Sequence, residues 1–394
     1  MKKLFLLATL GFFLSSSARA DNVKKDSTVF TTIKENPITT IKNQSRSGTC
    51  WCFSTLAFLE SELLRKGKGT YDLSEAFVVR KTYVDRAIAS VRMHGDVSFS
   101  QGGSFYDPIY CMENYGLMPE PAMAPAGSLY GDTLFDHNEL DAVTTAYVKA
   151  VATGGKKKFT TNWIQGLEGI YDSYIGAIPE KFNYNGKSYT PTTFAASLGL
   201  SADDYISITS YSHHPFYKPF VIEVQDNWRW SMSYNLPLNE MMEVIDNAIN
   251  KGYTIAWGAD VSEDHFNKKN VATVPNAKAK KDATGSDAAR WIGTNETSQV
   301  KASETSGEKT ITQEMRQIAY DNWETTDDHG MQIYGVAKNQ KGDKFYMVKN
   351  SWGSYGEYKG MFYASEAYVA YKTMNFVIHK DALPKSIAKK LGVK

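Results

Sequence analysis

The chain has 394 residues, with 44 Lys plus Arg against 43 Asp plus Glu, 22% charged and 42% hydrophobic residues. That size leaves room for two domains or one large one with a sizeable core, and the balance excludes a disordered acidic or basic chain and a charge-driven nucleic-acid binder. Three cysteines, an odd number, exclude a disulfide-stapled miniature scaffold and leave at least one free thiol in any monomer.

At the N-terminus, Lys2 and Lys3 precede an apolar run from Leu4 to Leu14 and the small residues closing on Ala18-Arg19-Ala20. This is the layout of a secretory signal peptide, residues 1–20, and the run is too short to span a bilayer. Its removal takes away Lys2, Lys3 and Arg19 and moves the formal net charge from +1 to −2. The expectation is an exported protein, periplasmic or secreted, with no membrane association after signal cleavage.

From Cys50 the pattern Cys52, Leu56, Leu59, Leu63 marks one face of a largely buried helix. Ser47-Gly48-Thr49 is helix-start chemistry, and Gly67 suits a left-handed cap near Lys66 to Gly69. Cys50 then sits in the first turn, over unsatisfied N–H groups and the positive end of the helix dipole, an environment that lowers a thiol pKa. Cys52, on the core face, and Cys111 read as small buried hydrophobes. The middle, to about residue 245, mixes short helical patterns with aromatic-rich loops and has no internal repeat. Residues 267–310 are nearly devoid of large apolar groups and read as a solvated insertion.

Gly330 to Ala337 and Lys344 to Lys349 are strand-like runs around the turn signal Asn339 to Asp343, which predicts an antiparallel hairpin. A turn centred near Lys341 brings His329 and Asn350 together at the open end of that hairpin. A thiolate nucleophile, an imidazole to exchange its proton and a third group to orient the imidazole make a nucleophilic site; Cys50, His329 and Asn350 fit those parts. Gln44 adds a side-chain N–H beside the Cys50 backbone N–H for an oxyanion hole. His213-His214 and Glu263-Asp264-His265 give no metal site by this reading, because adjacent histidines in extended chain point to opposite faces and no zinc-finger spacing exists.

Gln44 through Cys50-Trp51-Cys52-Phe53-Ser54, His329-Gly330-Met331 and Asn350-Ser351-Trp352-Gly353 resemble the papain-type cysteine peptidases. The long Cys-to-His interval and the stretch Asp321 to Met331 resemble the bleomycin hydrolase and aminopeptidase C family within them. The resemblance implies an α+β, two-lobed papain-like fold over residues 21–394: a helical half over about 21–245 and a β-rich, barrel-like half over about 246–394, with a cleft between. It implies Cys50 as nucleophile, His329 as base and acid, Asn350 as orienter, Gln44 in the oxyanion hole and Trp352 shielding the His–Asn bond. Gly102-Gly103 corresponds to a backbone segment that pairs with extended substrate, and Asp328, beside His329, is a candidate for tuning the imidazole near the substrate, with an exposed loop acid as the alternative. The implied activity is peptide hydrolysis through a thioester, of the aminopeptidase type, on peptide substrates and without metal or organic cofactor. A homo-hexamer is implied by resemblance alone.

The chain departs from the family pattern in three ways. Ser47 and Ser100 stand where secreted papain-like enzymes carry a disulfide, and Asp21 to Asn43 is too short for a large inhibitory propeptide. The sequence ends at Lys394, before the C-terminal arm that in the resembling aminopeptidases holds the substrate amine. That keeps open an endopeptidase with an uncovered cleft and, in another class, a catalytically silent peptide-binding protein of the same fold.

Overall fold

A computed structural model describes residues 28–124, 134–154, 158–267, 270–276 and 307–394. The expected signal peptide and residues 277–306 of the expected insertion lie outside the described residues. Among the described residues, no helix is long and apolar enough to cross a membrane.

The helical half is built from α1 (Cys50–Arg65), α2 (Glu75–Arg92), α3 (Tyr106–Asn114), α4 (Asn138–Ala152), α5 (Asn162–Tyr174) and α6 (Pro191–Leu198), with a small hairpin β2 (Phe182–Tyr184) and β3 (Lys187–Tyr189). Helix α1 is covered nearly all round: thirteen of its sixteen residues are buried, Glu60 and Glu62 included, as befits a helix packed on both sides. It ends as its sequence asks: Gly67 takes φ 68°, and the Lys68 N–H reaches back to the Leu63 carbonyl at 2.9 Å. Cys52 and Cys111 are buried in the core of this half, both as free thiols.

One mixed sheet organises the other half, with strand order β5-β6-β4-β12-β7-β9-β10-β11-β8. Its members are β4 (Tyr205–Thr209), β5 (Pro219–Val221), β6 (Met232–Asn235), β7 (Ile255–Ala259), β8 (Val271–Ala272), β9 (His329–Asn339), β10 (Lys344–Lys349), β11 (Met361–Ser365) and β12 (Thr373–His379). The N-terminal strand β1 (Phe30–Glu35) pairs antiparallel with the far end of β9. Helices α7 (Leu238–Asn250), α8 (Gln313–Asp321), α9 (Glu366–Lys372) and α10 (Lys385–Leu391) complete this half. The predicted hairpin forms in its expected register, Lys344 opposite Lys338 and Tyr346 opposite Val336, until a bulge at Met347/Val348 slips it by one residue.

The division expected near residue 245 is corrected: β1, β4, β5 and β6 belong to the large sheet, and α7 buries Met241, Val244, Ile245, Ala248 and Ile249 in its core. Strands of three to six residues carry too little alternation to be told from loop. The ends of the expected insertion also differ from a solvated loop: Ala272 and Val274 are buried, and Val271–Ala272 runs parallel to β11.

The halves meet where α1 lies against β9 and β7. Gln332 Nε2 of β9 lies 3.1 Å from the Ala57 carbonyl oxygen, 2.8 Å from Ser61 Oγ and 3.0 Å from Thr254 Oγ1 and shares its two hydrogens among them, so one buried amide ties helix to sheet. Gly330 permits the approach, since a Cβ there would lie 2.6 Å from Ser54 Oγ and 3.2 Å from the Cys50 carbonyl oxygen.

Candidate active site

A cleft of about 740 Å³ opens between the halves at the N-terminus of α1, within the usual range for a small-molecule or peptide pocket. Cys50, Gln44, Gly102, Gly103, Asp328, His329 and Trp352 all line it. His329, at the start of β9, and Asn350, just past the end of β10, meet at the hairpin's open end, His329 Nε2 lying 2.8 Å from Asn350 Oδ1. That contact makes Nε2 the protonated nitrogen and leaves Nδ1 as the base. The Trp352 ring stacks on the imidazole with centroids 4.8 Å apart and planes 29° off parallel.

Gln44 is held from both sides: Nε2 donates to the Ser47 carbonyl at 2.8 Å, and Oε1 accepts from Ser351 Oγ at 2.6 Å. Ser351 follows Asn350, so the oxyanion-side amide and the imidazole's orienter share one support. An amide nitrogen carries two hydrogens, and the second remains for a ligand beside the Cys50 N–H, which as the first helical donor has no intrahelical partner.

The electrostatics of the nucleophile correct the sequence-based expectation. Burial pushes the Cys50 thiol up to about 12, against the opposing pull of the Gly330 and Trp51 backbone N–H groups, and the charges of Asp327 and Asp226 add to the rise. Burial likewise holds His329 down at about 4 although its bond to Asn350 favours the charged form. Desolvation exceeds the helix-end effect here, and it favours the neutral form of both partners.

Gly102 lines the cleft with its carbonyl already bonded within the protein. That carbonyl accepts from Arg86 Nη1 at 2.5 Å, and a Cβ on Gly102 would collide with the Asp226 carboxylate at 2.0 Å. Gly103 lines the cleft against Trp51, whose ring a Cβ would meet at 2.8 Å. Asp328 is half-buried and directs its oxygens to the Val261 N–H at 3.1 Å and the Thr326 hydroxyl at 2.6 Å. Its charge is not among those acting on His329.

Sequence reasoning missed a crossing segment, residues 222–231. Ile222, Val224, Gln225, Asp226 and Asn227 line the cleft, while Arg86 grips Asp226 at 3.1 Å and Arg229 reaches Asp107 and Asp85 at 2.6 Å each. The β half is thereby clamped to the helical half along one wall. Asp327 was missed too: it lines the cleft, and burial, reinforced by Asp226 and Asp328, raises its carboxyl to about 8. Tyr355 buttresses Asn350 by accepting from its Nδ2 at 2.9 Å. No periodicity marks any of these residues; only their side-chain chemistry, five positions past Asn350 in the case of Tyr355, was available as a signal. Outside the cleft, His213 and His214 do not point to opposite faces as expected, because the chain turns there and both Nε2 atoms face Glu223.

The architecture and the Cys–His–Asn arrangement are those of a papain-like protein. A model of the Peptidase C1-like family matches residues 8–282 and 282–393, and the chain belongs to that family. It is 25% identical to Aminopeptidase C of Lactobacillus helveticus over 96% of this chain and 90% of that one. It is 24% identical to Aminopeptidase E of the same organism over 87% of this chain and 81% of that one. The solved structure of PepW from Lactobacillus rhamnosis HN001 shares the fold with a TM-score of 0.65 at 20% identity, covering 92% of this chain and 84% of that one.

Proposed function

We propose that this chain is a cysteine aminopeptidase that hydrolyses peptides through a thioester on Cys50. The observation that carries this is the His329–Asn350 pair, stacked under Trp352 and opening on the same cleft as Cys50 and Gln44. Because thiol and imidazole are both neutral before substrate arrives, the proton passes from Cys50 Sγ to His329 Nδ1 as sulfur attacks the carbonyl. The oxyanion is met by Gln44 Nε2 and the Cys50 N–H, His329 protonates the leaving amine, and water then attacks the acyl-enzyme with His329 as base.

The relatives' names support release of N-terminal residues, and the cleft has the chemistry for it: Asp226 offers a carboxylate to a substrate ammonium, with the Asp327 carboxyl, raised to about 8, beside it as a hydrogen-bonding group. One observation favours the endopeptidase reading. Helix α10 buries Ile387 and Leu391 in the core of the β half, and among the described residues that line the cleft none lies beyond Asn375. The pattern of residues 1–20 supports export before the enzyme acts, to be read by N-terminal sequencing of the mature protein.

The deciding experiment offers a fluorogenic peptide, free and N-acetylated, to the protein and to Cys50→Ala. The expected result is cleavage of the free form alone, none by Cys50→Ala, and a raised KM for the free form in Asp226→Asn. Equal cleavage of both forms replaces the aminopeptidase by an endopeptidase, and no cleavage by folded, thiol-titratable protein removes the enzyme reading.

A further inference from the structure

On the face behind the crossing segment, His213, His214 and Glu223 converge. His213 Nε2 is 3.2 Å from Glu223 Oε2, His214 Nε2 is 3.1 Å from Oε1, and one ligand atom from each residue lies within 4.8 Å of the others. A tetrahedral ion bonded at about 2.0–2.2 Å to nitrogen and oxygen spaces its ligand atoms roughly 3.3 Å apart, so these contacts match the edges of a coordination polyhedron.

The protonation of His213 follows from its neighbours. Gln317 Oε1 accepts from the Ser212 N–H at 2.7 Å and the His213 N–H at 3.2 Å, and Gln317 Nε2 donates to Asp321 at 2.9 Å, which identifies oxygen and nitrogen of that amide. His213 Nδ1 lies 3.2 Å from the same oxygen and so must carry a hydrogen. Nε2 of the same ring faces a Glu223 oxygen at 3.2 Å, where either a proton or a metal ion must stand between the two. Gln317 is thus the outer partner that metal-bound histidines ordinarily have. The rings are also fixed in place: His213 stacks on Tyr320 with centroids 5.5 Å apart and His214 on Phe220 at 4.3 Å. The Tyr320 hydroxyl donates to the Glu223 carbonyl at 3.1 Å.

We propose that His213, His214 and Glu223 form a binding site for a divalent transition metal of the zinc class, with solvent at the open position. Two imidazoles and one carboxylate suit a borderline ion and not the all-oxygen preference of calcium or magnesium. The site joins the turn after β4 to the segment that walls the cleft, since Glu223 stands between Ile222 and Val224, both cleft-lining. Metal there pins that wall from behind, 10 residues of chain being closed between His213 and Glu223.

The test uses the Cys50→Ala protein, so that zinc cannot report on the catalytic thiol. After dialysis against a chelator, Zn²⁺ is titrated calorimetrically, and thermal unfolding is followed with and without 100 μM Zn²⁺ across pH 6 to 8. The expected result is binding of one ion per chain, a melting temperature raised by roughly a few degrees at saturation, and loss of both in Cys50→Ala/His214→Ala and in Cys50→Ala/Glu223→Gln. These side chains are partly exposed, and metal-free melting temperatures matching the parent show that the variants fold. Co²⁺ substitution should give visible bands of nitrogen and oxygen ligation. The proposal is overturned if no ion binds, if binding survives in both variants, or if acidification alone reproduces the stabilisation without metal, which would make the cation a proton on His213.

Discussion

Substituting Gly330 by alanine perturbs the contact that sets nucleophile against base. The new Cβ would stand 2.6 Å from Ser54 Oγ, 3.0 Å from Phe105 Cε1 and 3.2 Å from the Cys50 carbonyl oxygen, where ordinary contact begins at 3.4 Å. The Ser54 hydroxyl must therefore give way by about 0.8 Å, and it now donates to the Cys50 carbonyl at 2.7 Å, so its rotation frees the very turn that carries the nucleophile. Losing that bond costs about 1 kcal/mol and overpacking adds about 1–2 kcal/mol. A displacement of several tenths of an ångström between Cys50 and His329 should lower kcat about tenfold, scaling from the hundredfold that accompanies 1 Å. The assay is kcat and KM on a free aminoacyl fluorogenic substrate beside urea unfolding. Ser54→Ala/Gly330→Ala should regain part of the stability, because the closest contact is gone, while the Phe105 contact keeps kcat depressed. Unchanged kcat/KM and stability in Gly330→Ala would refute the argument that this close approach positions the site.

Trp352→Ala should expose the His329–Asn350 bond and let the imidazole pKa rise from about 4 toward its ordinary 6.5, because burial is the larger cause of its depression; an NMR titration of His329 reads the shift, with kcat lowered about tenfold. Arg86→Met leaves Asp226 and the Ser98 and Gly102 carbonyls without their common donor, and should cost about 3 kcal/mol, the lower end for a broken buried pair since Asp226 is 30% exposed; Arg86→Met/Asp226→Leu should recover much of that loss in urea midpoints. His137 is 3% exposed, its Nε2 has no partner among the described residues, and burial lowers it from 6.5 to about 4. Between those values the unfolded chain binds the proton and the native one does not, so stability is full above pH 6.5 and falls as pH drops toward 4, by roughly 3 kcal/mol. His137→Phe should flatten that part of the acid limb, measured as the urea midpoint against pH; an unchanged limb would mean that His137 is charged in the native protein.

The catalytic constellation was legible because each part rides on a local signal. Cys50 follows helix-start residues ahead of a 3.6-period apolar face, and His329 and Asn350 flank a hairpin whose turn residues and alternation set the register by themselves. The bulge at Met347/Val348 shifted the pairing by one residue without parting the two side chains. Gln44 followed from the need for an amide donor beside the Cys50 N–H, and resemblance supplied the family and with it Trp352.

Tertiary structure decided what depends on neighbours remote in the chain. The Cys50 thiol is raised and not lowered because burial outweighs the helix-end effect and the charges of Asp327 and Asp226 add to the rise, and no feature of the helix start reports either. Gly102 lends its carbonyl to an arginine 16 residues back, and Asp226 reaches the cleft only because Arg86 and Arg229 draw the segment 222–231 across it. His213 and His214 meet on one carboxylate because the chain turns, an outcome opposite to the extended reading. Periodicity reports which face of an element is buried; it carries no information about which distant charge is buried beside it, and that pairing sets the pKa values and the cleft wall.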